Sequence, residues 1–233
     1  MASGTGSSDV ARLFETGAHF AQVKSRRHPS MKPFLIGTKG RQEIIDLAQT
    51  ESQLIVAKTA MATLAKEGKT PLYVGGKTEI ASLVKAAALQ VGLPFVASRW
   101  LGGTISNWVE IKKRVDRLAQ LREERSSGAL AKQHTKLELV RLEREEGRLA
   151  ERLDGLVELA KRPDALVVVD PRRERHAVKE ANDAGIPVIA IMSSDCDLSV
   201  AAYPIVANDA SREAVKLILT ELGGAFEEGR RVG

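Results

Sequence analysis

Ala165-Leu166-Val167-Val168-Val169 is an unbroken apolar run, preceded by Pro163-Asp164 and closed by Asp170-Pro171. A run this short, rich in β-branched residues and bounded by turn formers, predicts a strand buried on both faces. The pattern repeats outward from it. Downstream, Arg173 to Ala184 predicts a helix, Val188-Ile189-Ala190-Ile191 a strand, and Ala210 to Leu222 a closing helix. Upstream, Leu72-Tyr73-Val74 and Pro94-Phe95-Val96 are strands that enclose a helix over Thr78 to Gln90. Before them come short strands at Phe34-Leu35-Ile36 and Ile44-Ile45, then a helix from Ser52 to Glu67 that offers Leu54, Val56, Met61 and Leu64 to a core. A first helix over Asp9 to Gly17 is capped by Ser8 or Asp9 and stopped by the glycine. Apolar strands alternating with helices give an α/β class with a mostly parallel sheet covered on both faces, a Rossmann- or flavodoxin-like three-layer domain.

The alternation is interrupted once. Between Ile105 and Asp154, Trp108, Ile111, Val115 and Leu118 recur at helical spacing, and Leu139, Leu142, Leu149 and Leu153 form a second such register. With Ser126-Ser127-Gly128-Ala129 as the turn, this predicts an antiparallel helical hairpin, either a coiled coil or a plain packed pair, that projects as an arm. The domains are then 1–104 with 155–233 for the α/β body and 105–154 for the inserted hairpin. Its entrance, Arg99-Trp100-Leu101-Gly102-Gly103-Thr104-Ile105-Ser106-Asn107-Trp108, holds both tryptophans of the chain. Trp100, Leu101, Gly102, Gly103, Asn107 and Trp108 are expected to set the angle between body and arm, Trp108 as an aromatic plug.

Composition narrows the function classes. At 233 residues with 43% hydrophobic content, the chain can bury an ample core. A lone cysteine, Cys196, and four dispersed histidines leave no disulfide and no thiolate-rich metal site, and a reducing compartment is expected. Met1 to Ser8 lacks the features of a secretion signal and no stretch reaches membrane-spanning length, so an intracellular protein without a membrane partner is expected.

Three constellations invite a catalytic reading. Val74-Gly75-Gly76-Lys77-Thr78 follows a strand and opens a helix, where a phosphate could sit, but the glycine needed five residues before Gly76 is Pro71. Cys196 lies between Asp195 and Asp197, whose charges disfavour a thiolate. Glu143, Glu145, Glu146 and Glu151 alternate with Arg141, Arg144, Arg148 and Arg152, which reads as a solvated helical face with local ion pairs. Neither a catalytic set nor a cofactor motif emerges, and the chain is read as a non-enzyme.

Charge is the remaining signal. The net charge is +5, yet Ala21 to Arg41 alone contains Lys24, Arg26, Arg27, Lys32, Lys39 and Arg41 with no Asp or Glu. Flexible cations in a segment kept extended by Pro29 and Pro33 suit a phosphate backbone, and such a loop is expected to order on RNA. Lys77 and Arg99 are secondary RNA candidates, and Arg172, Arg173, Arg175, Arg230 and Arg231 add to the basic tally. An enzyme that uses the Gly75 to Lys77 turn, and a protein-docking role for the arm, are the rival readings.

Ser98 to Trp108 resembles the signature of the S-two family of small-subunit ribosomal proteins. Gly17-Ala18-His19-Phe20, Met31-Lys32-Pro33-Phe34, Asp164 to Pro171, Val178 to Ala181, Gly185 to Val188 and Cys196-Asp197 match that family in order. The resemblance implies an α/β body with a coiled-coil insertion of the bacterial or organellar branch. It further implies a ribosome-bound, non-catalytic role in the cytoplasm or an organelle: binding small-subunit ribosomal RNA late in assembly, near the junction of head and body. Neighbouring ribosomal proteins would be its partners, the S-one protein among them. The chain departs from the family pattern at Ala21-Gln22-Val23, Leu198 and Val206-Ala207.

Overall fold

The computed structural model describes residues 6–128 and 134–232. Helix α1 (Gly6–Glu15) leads into a small antiparallel sheet of β1 (Phe20–Val23), β2 (Leu35–Lys39) and β3 (Gln42–Ile45), ordered β1-β3-β2. There follow α2 (Leu47–Lys66), β4 (Pro71–Val74), α3 (Thr78–Gln90), β5 (Phe95–Val96), α4 (Trp108–Ser126), α5 (Lys136–Leu153), β6 (Ala165–Val169), α6 (Arg175–Asp183), β7 (Val188–Met192), β8 (Tyr203–Val206) and α7 (Arg212–Val232). The main sheet is wholly parallel, in the order β5-β4-β6-β7-β8. That order reverses between β4 and β6, the flavodoxin-like arrangement, and the reversal opens a crevice at the carboxyl ends of those two strands.

Alternation along each strand divides the core into two layers. Tyr73, Val167, Ile189 and Ile205 face α2, α3 and α7. Leu72, Val74, Leu166, Val168 and Ala190 face α6, the base of α4 and the small sheet. All five residues of β6 are buried, and each fully buried Val or Leu contributes about 1.5–3 kcal/mol.

Several boundaries differ from expectation, each for a physical reason. α1 begins at Gly6, so Asp9 lies in its first turn rather than capping it; Met1 to Thr5, part of the stretch read for a leader, lie outside the described residues. α2 starts at Leu47, because the Asp46 carboxylate accepts from the Ala48 amide and caps it there. Its buried stripe runs Leu47, Leu54, Ala57, Met61 and Leu64, whereas Val56 is 56% exposed and takes no part in the core. β8 is a strand that sequence alone did not reveal. α7 continues to Val232, ten residues past the expected end at Leu222. A side chain at Gly229 would run into the Ala62 backbone of α2, so glycine there permits close helix packing instead of ending the helix.

The segment from Ala21 to Arg41 is not an extended loop. Lys24–Arg26 and Pro29–Phe34 form 3-10 turns, and Pro29 and Pro33 lie within the second of them. In the insertion, α4 and α5 lie against each other. Ile111, Val115 and Leu118 of α4 belong to the core of the body, joined by Leu153. On α5 the expected Leu139, Leu142 and Leu149 are half-buried, Leu137 and Val140 outside that register are exposed, and Glu146 is buried. The Glu146 carboxylate faces Arg125 at 3.0 Å and Arg122 at 3.8 Å, while Glu145 pairs with Arg117 at 3.2 Å. The expected solvated face therefore includes ion pairs between the two helices. Of the expected turn, Ser126 ends α4, Ser127 and Gly128 follow it, with Gly128 at φ +72°, and Ala129 lies outside the described residues.

Candidate nucleic-acid interface

Four residues of the tryptophan loop turn their donors toward one carboxylate. Glu180, on α6, accepts from Trp100 Nε1 at 3.2 Å, the Gly103 amide at 2.8 Å, the Ile105 amide at 3.1 Å and Ser106 through both amide and hydroxyl. Burial works to raise the Glu180 pKa, but these hydrogen bonds outweigh it and hold the carboxyl below its ordinary range. Gly103 has φ +90°, which an L side chain rarely adopts, and its carbonyl accepts from the Asn107 amide to start the turn into α4. Trp100 is buried, Leu101 and Trp108 pack partly buried against the same core, and Asn107 occupies the N-cap position of α4 without a side-chain capping bond. Gly102 keeps an unstrained φ, so nothing in its backbone requires glycine. The loop is thus wound around a single anion of the body. Nothing in the sequence pattern singled out Glu180 as its anchor.

The crevice at the sheet's reversal is closed to a phosphate in a similar way. The Gly76 amide, the donor that a phosphate would need, binds Glu174 at 3.0 Å, and burial pushes the Glu174 pKa up. Lys77 lies 3.8 Å from Asp170. Asp170, at φ +61°, meets Cys196 and the buried Asp209 with ligand atoms within 4.8 Å of one another. Burial, reinforced by Asp170, raises the Asp209 pKa to about 7, and the Ser193 amide donates to its carboxylate. Burial and the neighbouring carboxylates push the Cys196 thiol well above the usual range, so it is no nucleophile at neutral pH. With a lysine near its charge, this trio is a polar knot where the segments that follow β6, β7 and β8 meet. Next to it a cleft of about 610 Å³ is lined by Arg99, Arg173, His176 and Lys179 together with Glu174 and Glu180. Arg99 is exposed there.

The basic segment is built the opposite way. Its backbone is anchored: the His28 amide donates to the Ser194 carbonyl at 2.8 Å, the Gln22 amide to the Ser194 hydroxyl at 3.1 Å, and the Leu198 amide to the Ser30 hydroxyl at 3.2 Å. Met31 is fully buried beneath it. Among the described residues, Lys24, Arg26, Lys32, Lys39 and Arg41 are exposed and form no ion pair. Arg27 differs from these five, for its guanidinium lies 2.8 Å from the buried Glu43 and pins the segment to β3. Arg172 is similarly engaged by Asp195 at 2.7 Å, and Arg230 lies over Phe226.

No helix among the described residues is long and apolar enough to cross a membrane. The family model for ribosomal protein S2 matches residues 13–229. The small ribosomal subunit protein uS2 of Microcystis aeruginosa is 40% identical over 224 residues, 96% of this chain and 84% of the relative. Its counterpart in Dictyoglomus thermophilum is 39% identical over 95% of this chain and 89% of the relative, and that of Rippkaea orientalis 38% identical over 95% and 82%. The chain belongs to the ribosomal protein S2 family, a family of structural and not catalytic proteins.

Proposed function

We propose that this protein is a structural component of the small ribosomal subunit that grips ribosomal RNA chiefly through phosphates. The observation that carries this reading is the set of five exposed cations, Lys24, Arg26, Lys32, Lys39 and Arg41, held without acidic partners on an anchored backbone. Cations fixed in this way contact phosphates at little ordering cost. Arg27 serves the interface indirectly, by holding the segment against Glu43. Arg99, at the mouth of the cleft, is a secondary contact, and Lys77 is a weaker one because Asp170 shares its charge.

The division into a body of residues 1–104 and 155–233 and an insertion of residues 105–154 belongs to the same reading. The Glu180-centred loop fixes the start of α4 on the body, so that body and insertion approach RNA in one geometry during late assembly, near the junction of head and body. Neighbouring small-subunit proteins, including the S-one protein, are the expected protein contacts, and the ribosome of a bacterial cytoplasm is the expected location. The nucleotide-binding alternative loses its main donor, the Gly76 amide, to Glu174.

Sucrose-gradient sedimentation of a cell extract tests the reading. The wild-type chain should travel with small subunits, and the triple variant Lys24→Glu, Arg26→Glu, Lys32→Glu should remain largely at the top of the gradient. Unchanged co-sedimentation of the triple variant would remove the basic segment from the interface.

A further inference from the structure

Phe14 is 60% exposed at the end of α1, although a phenyl ring gains more from burial than almost any other side chain. Its inner face is occupied: the His19 ring lies parallel to it, with centroids 4.4 Å apart and planes at 11°. His19 in turn contacts Phe20, centroid to centroid at 4.1 Å. The Phe14 ring therefore ends a short aromatic stack, with one face supported and the other open.

Strand register places this stack beside the cations. Across the small sheet Phe20 pairs with Ile44 and Ile44 with Gly37, while in the next row Val23 pairs with Gln42 and Gln42 with Lys39. Lys39 Nζ sits 5.8 Å from the Phe20 ring centroid. A side chain at Gly37 would meet nothing within 4 Å, so this face of the sheet is open. Lys24 and Arg41 adjoin the same row. Burial first, and the charge of Lys39 second, lower the His19 pKa, so the middle ring of the stack is neutral at pH 7 and does not repel the cation row.

We propose that the Phe14–His19–Phe20 stack is a platform for one unpaired RNA base, whose own phosphates are met by Lys39 and its neighbours Lys24 and Arg41. The site rests on the RNA-binding reading above and extends it from phosphate contact to base contact. Charge complementarity selects this occupant: an apolar protein segment would gain from Phe14 but would leave the adjoining cation row without partners. Stacking on an aromatic ring tolerates any base, so the platform confers single-strand preference rather than sequence preference.

The full-length protein can be titrated with a single-stranded RNA 12-mer carrying 2-aminopurine at its centre, with fluorescence and anisotropy read together. Wild type should quench the 2-aminopurine on binding. Phe14→Ala should lose most of that quench and bind roughly tenfold more weakly with an unchanged salt slope, and Phe14→Tyr should restore both. Urea denaturation of Phe14→Ala should match wild type, since the ring is exposed. Salt-dependent binding by wild type without quenching, or equal binding and quenching by Phe14→Ala, would overturn the platform and leave the phosphate reading standing. Loss of subunit incorporation by Phe14→Ala with intact RNA binding would overturn it in favour of a protein contact. No binding of the oligomer by wild type would instead count against the phosphate reading itself, and the platform with it.

Discussion

The tryptophan loop and the basic segment are both polar excursions from the core, and both are tied to the same body, but they treat their polar groups in opposite ways. In the loop, Trp100, Gly103, Ile105 and Ser106 all donate inward to Glu180. In the segment, the backbone donates inward to Ser194, and every cation but Arg27 faces outward without an ion-pair partner. The difference separates polar groups that make the fold from polar groups available to a ligand. A motif as distinctive as Arg99 to Trp108 belongs to the first kind, and a less distinctive run of lysines and arginines belongs to the second.

Removing the carboxylate at the centre of the loop should have the largest effect. Glu180→Ala leaves an indole N–H and three amides without their acceptor and should cost about 3–5 kcal/mol in urea denaturation. Glu180→Gln, which keeps an acceptor oxygen, should recover part of this. A cost under about 1 kcal/mol would mean that the loop is held by packing alone.

The polar knot offers a pH test of similar kind. Asp209 faces Asp170, Asp195 and Lys77, and its folded pKa of about 7 lies above its ordinary 3.8. Between those values the folded state retains a proton that the unfolded state releases, so stability falls as pH rises through that window and levels off above it. The loss should be on the order of 4 kcal/mol, and Asp209→Asn should flatten that part of the profile. An identical profile in the variant would contradict the assignment.

The segment's one buried ion pair should matter less, and its open cations least of all. Arg27→Met abandons Glu43 in the core and should cost about 2 kcal/mol, whereas Arg26→Met should stay within about 0.5 kcal/mol of wild type. On the insertion, Leu137→Ser and Val140→Ser should each change stability by less than about 0.5 kcal/mol, because both side chains are exposed. A loss of about 2 kcal/mol at either would place that side chain in the seam between the two helices.

How much of this was legible in the sequence depended on whether the signal was local. β6 and α3 were readable residue for residue, because an apolar run and a helical repeat are properties of a single segment. β8 was not, since Tyr203-Pro204-Ile205-Val206 is short, contains proline and becomes a strand only by pairing with β7 at the sheet's edge. Gly223 and Gly229 concealed the length of α7, because a glycine that permits helix contact looks the same in sequence as one that ends a helix. The basic segment was legible as charge. That Arg27 is paired and its neighbours are not depends on Glu43, sixteen residues away on β3. Glu180 left no local signal at all, since its partners lie more than seventy residues upstream.

The central claim is that the unpaired cations of the segment serve RNA and not the fold. It is tested most directly by the salt dependence of binding to small-subunit ribosomal RNA for wild type and for the triple variant Lys24→Gln, Arg26→Gln, Lys32→Gln, with urea denaturation measured on the same samples. The account predicts that the log–log salt slope falls by about 2 while the denaturation midpoint is unchanged. An unchanged slope, or a loss of binding that appears only together with a loss of stability, would contradict it.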